Sequence, residues 1–269
     1  MNNNTNVMQN CGEVISLTFG DQGENHVGME KVGAMVQEGE GFNLEDLEGH
    51  KREFEEWGVK CEIYDLRDLV EKDSVKEAYI LVVRGVLSHL IKNKEDLFSE
   101  MKTFEWDRKY YCTRRKKVLN KHARANVCFG EVSSEPDYEN KKGRVVGYGD
   151  AVVLGEVRKR LMAVLGKKGD NLICEGNRYF DLRKCGIGWH GDAERRKVVA
   201  LRLGEEMDMQ FRWFHRFNSC GKTLKLKLQH GDMYIMSEKA VGTDWKRSSQ
   251  WTVRHAAGRE GSMYLKVKR

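Results

Sequence analysis

Short apolar runs dominate the C-terminal half of the chain, and Gly, Asn or Asp residues separate them. The runs at 198–204, 211–214 and 224–236 are apolar or alternate between apolar and polar residues. This pattern is typical of consecutive β-strands in a sandwich or barrel. Gly231-Asp232 predicts a tight turn that leads into a strand.

Residues 1–75 have a different pattern, which predicts a small α/β module with the order strand, helix, helix, strand. The predicted elements lie at 14–20, 24–37, 43–57 and 59–64. Asn43, with Asp46 three residues later, is typical of a helix N-cap. The glycines of this module do not form a phosphate-binding loop. Two roles stay open for it: packing against the rest of the chain, or binding a partner.

Residues 76–269 are expected to form the larger domain, which gives an α+β fold class overall. Helices near 89–102 and 157–166 would support a sheet, and most strands would follow residue 171. The stretch 133–142 is polar and contains the single proline of the chain, so we expect an exposed loop there.

The composition indicates an intracellular, soluble protein, cytoplasmic or nuclear, with no membrane partner. Hydrophobic residues make up 40% and charged residues 33% of the chain. Apolar runs stay well short of the roughly 20 residues that span a bilayer. The start of the chain lacks the basic-then-apolar pattern of a secretory signal. The seven cysteines are scattered without a Cys-x-x-Cys pair, as in reduced intracellular proteins.

Charge is distributed unevenly along the chain, although the net charge is only +6. Residues 12–77 are rich in acids, whereas 108–124 is strongly basic. Its candidate contact residues are Tyr110, Tyr111, Arg114, Arg115, Lys116 and Lys117. Aromatic rings stack on bases, and lysine and arginine neutralise phosphates, so nucleic acid is a candidate partner. The alternative is a solvated charged face.

The clearest candidate chemistry lies in His190-Gly191-Asp192. Two residues apart on a strand, an imidazole and a carboxylate point to the same face. A histidine from a distant strand would complete a two-His-one-carboxylate triad, which is diagnostic of non-haem Fe(II) oxygenases. We assign that place to His255. The alternatives are a surface turn for the His-Gly-Asp stretch and a structural role for His255.

With its surroundings, this stretch resembles the AlkB-like family of Fe(II)/2-oxoglutarate dioxygenases. The matching segments are 177–179, 187–194, 202–204 and 230–232, in the family's order. They fall within the last two-thirds of the chain. The resemblance implies a double-stranded β-helix (jelly-roll) dioxygenase domain with Fe(II), 2-oxoglutarate and O₂. The family usually places its second metal histidine earlier, where 243–247 contains none.

The resemblance also implies roles for residues around the metal. Asn177 and Tyr179 would contact 2-oxoglutarate, and a basic residue near the end of the chain would bind its far carboxylate. Arg269 or Lys266 would take that role, with Arg254 as the alternative. Glu194 and Arg195 would orient a substrate base, and the basic run 108–124 would lie in the substrate-binding lid.

The sequence therefore predicts a dioxygenase that hydroxylates or oxidatively demethylates a nucleic-acid base. The first alternative is hydroxylation of a protein side chain or a small metabolite with the same cofactors. The second is a non-catalytic binding module. Substrate identity and oligomeric state stay open.

Overall fold

The computed structural model describes residues 12–71, 73 and 75–258. The strands among them are β1 (Val14–Gly20), β2 (Gln22–Glu24), β3 (Lys31–Gly33), β4 (Cys61–Asp65), β5 (Tyr79–Val83), β6 (Lys109–Cys112), β7 (Lys117–Asn120), β8 (Ala125–Gly130), β9 (Val145–Gly147), β10 (Ile173–Tyr179), β11 (Ile187–His190), β12 (Val198–Gly204), β13 (Met207–His215), β14 (Asn218–Leu228), β15 (Met233–Met236) and β16 (Thr252–Ala257). The α-helices are α1 (Leu44–Glu56), α2 (Leu87–Leu90), α3 (Lys94–Thr103), α4 (Val152–Leu165) and α5 (Glu238–Val241). Short 3₁₀ turns occur at Leu66–Leu69 and Gly166–Gly169.

Antiparallel sheets dominate this mixed α+β structure, in agreement with the predicted class. The large sheet has eight strands in the order β4-β5-β15-β12-β1-β10-β8-β9, and only the β8–β9 pair is parallel. The small sheet has four strands in the order β11-β16-β13-β14. Two hairpins, β2–β3 and β6–β7, stand apart from both sheets.

Two hydrophobic cores lie on opposite faces of the large sheet. The first joins the sheet to the helices, as Leu201 and Leu161 illustrate. The second lies between the two sheets and includes Ala200 of β12 and Trp213 of β13. Because side chains alternate along a strand, Arg202 of β12 lies on the same side as Ala200, toward the small sheet.

The division at residue 75 was wrong as a structural boundary. β1 lies in the middle of the large sheet, paired with β10 on one side and β12 on the other. β4 extends the same sheet through β5. The first quarter of the chain therefore supplies an interior strand, β1, and an edge strand, β4, to the sheet that contains the later elements, and it does not form a separate module.

The helix predicted at 24–37 was also wrong, because this stretch contributes to the β2–β3 hairpin. Gly28 and Gly33 have φ angles of +89° and +83°, a conformation that a helix cannot contain. The capped helix is confirmed as α1. The Asn43 side chain accepts a hydrogen bond from the Asp46 amide at 2.9 Å, and Gly58 follows with φ +78°.

Membrane-crossing helices are absent from the described part of the chain, where each helix is too short or too polar to span a bilayer.

Candidate metal centre

Strand pairing brings the two candidate histidines together. β11 and β16 are antiparallel neighbours, and His190 lies opposite His255 in their register. The centroids of the two imidazole rings are 4.4 Å apart. Asp192, just beyond the end of β11, places Oδ1 at 3.6 Å from His190 Nε2 and 3.3 Å from His255 Nε2.

These three side chains fit one metal ion. Their ligand atoms all lie within 4.8 Å of one another. Adjacent ligands of an octahedral ion with bonds of about 2.1 Å are about 3 Å apart, close to the two distances from Asp192. The predicted triad of His190, Asp192 and His255 is thus brought together as two imidazoles and one carboxylate.

The protonation states also suit metal binding. Burial and the neighbouring His255 lower the pKa of His190 to about 3, so its imidazole is neutral at neutral pH. Its Nδ1 lies 2.7 Å from the Gly188 carbonyl oxygen, which fixes the tautomer and leaves Nε2 free to bind a metal. Burial by itself raises the pKa of Asp192, but Arg195, His255 and His190 together outweigh burial and keep the pKa below its usual value.

Gly191, between the two ligands, allows two backbone segments to approach closely. A Cβ atom at this position would lie 2.2 Å from the Gly242 carbonyl oxygen, far inside normal contact. The Asp192 amide donates a hydrogen bond to the Val241 carbonyl oxygen at 3.0 Å. The C-terminal end of α5 therefore holds the loop that carries Asp192.

The triad lines a cavity of about 510 Å³. This volume is within the usual range for sites that bind small molecules. Four other residues predicted for the site, Asn177, Tyr179, Glu194 and Arg195, also line the cavity. The Asn177 amide oxygen accepts hydrogen bonds from Arg124 Nε at 2.6 Å and Asn126 Nδ2 at 2.5 Å.

Arg195 is held by three carboxylates and is only 3% exposed. It pairs with Glu175, with Glu194 at 2.8 Å and with Asp192 at 3.5 Å. Burial raises the pKa of Glu194 to about 6, although Arg195 acts in the opposite direction. The charge of Arg195 is compensated by Glu175 and Glu194, and its ion pair with Asp192 helps to orient that carboxylate.

The basic run forms the β6–β7 hairpin, whose turn contains the exposed Arg114, Arg115 and Lys116. Tyr110 stacks on His26, with 3.6 Å between ring centroids, and His26 lines the metal cavity. Arg114 and Arg115 line a second, adjoining cleft that also includes Tyr110. Tyr111 contacts Met29 instead, and Lys117 is exposed on β7. The hairpin thus stands beside the cavity.

The three basic residues proposed to bind the far carboxylate of 2-oxoglutarate are not found in the cavity wall among the described residues. Arg269 and Lys266 lie outside the described residues. Arg254 does not line the cavity: its guanidinium packs 4.3 Å from the Phe214 ring and 5.2 Å from the Trp245 ring, and it donates to the Trp245 carbonyl oxygen. It lies next to His255 on β16, so its side chain points to the other face of the sheet.

Sequence reasoning missed one cavity residue with a clear signal, Arg202. It is 1% exposed, on a strand whose other inward-facing residues are apolar. An arginine at an inward position of an apolar strand is unusual, and that is the signal that could have identified it. Trp245 and Lys246, in the segment that lacks a histidine, also line the cavity.

His230 lies outside the triad. Its Nδ1 accepts a hydrogen bond from the Gly204 amide at 3.1 Å.

Comparison with known proteins places the chain beside one viral relative. No family model matches it. The chain is 40% identical over 254 residues to an uncharacterized protein of Acanthamoeba polyphaga mimivirus, a match that covers 93% of this chain and 98% of the viral protein. The chain therefore belongs to the same family as that protein.

Proposed function

We propose that the protein is an Fe(II)- and 2-oxoglutarate-dependent dioxygenase. One observation carries the proposal: His190, Asp192 and His255 converge in the wall of a cavity that is large enough for a small co-substrate. A triad of two histidines and one carboxylate leaves coordination positions free on the metal, which is the arrangement that non-haem Fe(II) oxygenases use.

The order of the strands supports the proposal. Counted from β10 to β16 and then to β1, the strands alternate between the two sheets, except for the β13–β14 hairpin. We propose that the pairing β15-β12-β1-β10 in one sheet and β11-β16-β13-β14 in the other corresponds to a double-stranded β-helix, with β1 as its eighth strand. The proposed jelly roll would then be a permuted one, in which β1, the first strand of the described residues, closes the fold.

Different residues of the chain would bind the metal, orient one of its ligands and contact the co-substrate. His190, Asp192 and His255 would hold Fe(II), and Arg195 would fix the orientation of Asp192. Asn177 and Tyr179 would contact 2-oxoglutarate from β10. Bound iron would supply the oxidation of 2-oxoglutarate by O₂ to succinate and CO₂, coupled to hydroxylation of a substrate C–H bond.

The proposed substrate is a base in a nucleic acid. The hairpin beside the cavity supports this choice, because residues 108–124 contain eight lysines and arginines and no acid. Phosphates would be neutralised there while a base enters the cavity. An N-methyl group, once hydroxylated, would leave as formaldehyde. A protein side chain or small metabolite is the alternative, favoured if oligonucleotides do not bind.

Succinate formation from 2-oxoglutarate tests the cofactor assignment. The protein with Fe(II), ascorbate and O₂ should produce succinate, and His190→Ala or His255→Ala should abolish it. His230→Ala is the matched control, because this histidine lies outside the triad, and it should retain activity. Absence of succinate from the wild-type protein, with or without oligonucleotides that carry methylated bases, would refute the proposal.

A further inference from the structure

We propose that Arg202 binds the far carboxylate of a dicarboxylate whose other end chelates the metal. This inference rests on the proposed function, because it assigns one end of the co-substrate to a named side chain. It replaces the three basic residues that the sequence suggested with one on a different strand.

The first argument is that the guanidinium of Arg202 is buried without a carboxylate partner among the described residues. Its side chain is 1% exposed, and neither Nε nor Nη1 has a hydrogen-bond partner within the described part of the chain. No carboxylate of residues 12–71, 73 and 75–258 lies within 4.0 Å of its guanidinium. A buried and unpaired charge is unfavourable, and a guanidinium cannot relieve the charge by losing its proton.

Other buried or half-buried arginines have partners that Arg202 lacks. Arg195 is surrounded by three carboxylates. Arg144 pairs with Glu105 and Glu135. Arg254 is enclosed by aromatic rings and donates to a carbonyl oxygen. Arg202 combines burial, two unpartnered nitrogens and a place in the wall of the metal cavity.

The second argument is the row of polar side chains that continues from Arg202 across the sheet. Arg202 of β12 lies opposite Ser16 of β1, and Ser16 lies opposite Asn177 of β10. All three line the cavity, and so do Tyr179 and Tyr234. These side chains offer hydroxyl and amide groups around one guanidinium, which suits a carboxylate with two oxygens to satisfy.

The third argument is the placement of the two ends of the site. The three candidate metal ligands come from the small sheet and its adjoining loop, whereas Arg202 comes from the facing large sheet, and all four side chains line the same cavity. A ligand that joins them must chelate the metal at one end and present a carboxylate to the guanidinium at the other. The proposed ligand is therefore the five-carbon 2-oxo diacid of the proposed reaction.

The permuted strand order explains why the arginine is on β12. In the resembled family, the last strand of the fold supplies the cation. Here β1 occupies that position and presents Ser16 and Thr18 to the cavity, and neither carries a charge. The neighbouring strand supplies the positive charge instead.

Calorimetric titration of the Mn(II)-loaded protein tests the inference without relying on turnover. The probes are 2-oxoglutarate and pyruvate, which share the metal-chelating end but differ in the far carboxylate. The wild-type protein should bind 2-oxoglutarate much more tightly than pyruvate. Arg202→Met should weaken 2-oxoglutarate binding at least about tenfold and leave pyruvate binding within about twofold. Arg254→Met is the matched control and should keep the wild-type preference.

Thermal unfolding separates ligand binding from a structural role. Without ligand, Arg202→Met should have an unchanged or higher melting temperature than the wild-type protein, because it removes an unpaired buried charge. A structural arginine would give a lower melting temperature. Equal binding of the two probes by the wild-type protein, or an Arg202→Met variant that keeps the wild-type preference, would overturn the assignment.

The test also distinguishes this inference from the proposed function. If Arg202→Met loses the preference for 2-oxoglutarate but the iron-loaded wild-type protein produces no succinate, the role of Arg202 in carboxylate binding is supported and the dioxygenase activity is refuted. If the wild-type protein produces succinate and Arg202→Met keeps the same KM for 2-oxoglutarate, the dioxygenase activity is supported and the role of Arg202 is refuted.

Discussion

His190 and His255 face each other across the β11–β16 pair, with the centroids of their rings 4.4 Å apart. On its other side, β16 pairs with β13, where Phe211 lies opposite His255 and is completely buried. The distal histidine is therefore fixed between two strands in the interior of the small sheet. The position of the His255 ring depends on the register of β16, because a shift of one residue would turn the ring to the other face of the sheet.

Metal affinity should depend on all three triad residues. Alanine at His190, Asp192 or His255 should weaken Mn(II) binding by on the order of 100-fold, because each removes one of three protein ligands. Equilibrium dialysis with Mn(II) would measure this loss. His230→Ala, the control, should bind Mn(II) as the wild-type protein does. If the control loses binding and His255→Ala keeps it, the distal ligand is misassigned.

Gly191→Ala should lower stability and metal affinity together. Its Cβ atom would lie 2.2 Å from the Gly242 carbonyl oxygen, so the loop with Asp192 or the end of α5 must move. We expect a loss of about 1–3 kcal/mol in the free energy of unfolding, as for other overpacked sites. Urea denaturation and Mn(II) binding would measure the two effects.

Gly49→Ala is the matched control for that change. Gly49 lies inside α1, and a Cβ atom there would meet nothing within 4 Å. Alanine is the better helix former, so this variant should gain about 0.5–1 kcal/mol and bind Mn(II) normally. If both glycine variants behave alike, close approach of the two backbones is not the reason for Gly191.

Local features of the structure were easier to predict from the sequence than the long-range pairing of strands. The capped helix α1 depends on Asn43 and its neighbours, and the spacing of His190 and Asp192 places both at one strand end. The place of β1 depends instead on partners far along the chain, such as Asn177 and Arg202 opposite Ser16. An isolated strand pattern contains no information about which strands will pair with it.

The same limit explains the missed arginine. The apolar pattern of 198–204 predicted β12, but whether Arg202 faces a cavity or solvent depends on the small sheet that packs against it. His190 and Asp192 share a short motif that points to metal chemistry, whereas the role of Arg202 becomes visible only with its burial and its unpartnered nitrogens.

Stability should depend on pH through Lys121, which connects the end of the β6–β7 hairpin to the turn between β2 and β3. Its Nζ donates to the Asn25 carbonyl oxygen at 3.1 Å. Burial lowers the pKa of Lys121 to about 8, with Arg124 acting in the same direction and Asp107 and Glu175 in the opposite one. In the unfolded chain a lysine titrates near pH 10.4. Between these values the unfolded chain binds more protons, so the contribution of Lys121 to stability rises with pH.

Lys121→Met removes that contribution. At pH 7 the variant should be more stable than the wild-type protein by on the order of 2 kcal/mol, since it avoids burying a charge. The difference should shrink as pH rises from 8 to 10. Urea denaturation of both proteins over that range would measure it, and other titrating groups cancel in the comparison. A difference that does not change with pH would contradict the lowered pKa.

The β6–β7 hairpin should bind the phosphate backbone of a nucleic acid. Arg114 and Arg115 are exposed at its turn and line the cleft beside the metal cavity. Replacing both with glutamate should weaken oligonucleotide binding by more than about tenfold at low salt and flatten its salt dependence, because fewer counterions are released. Fluorescence anisotropy between about 50 and 200 mM salt would measure both quantities.

An equal change of charge elsewhere makes the test specific to the hairpin. Lys159 and Arg160 are exposed on α4, outside the residues that line either cavity. The double variant Lys159→Glu and Arg160→Glu has the same net charge as the hairpin variant. It should lose less than about threefold in affinity, since only the long-range charge is altered. Equal losses in both variants would show that binding follows net charge alone. Absence of salt-dependent binding in the wild-type protein would favour a protein or metabolite substrate instead.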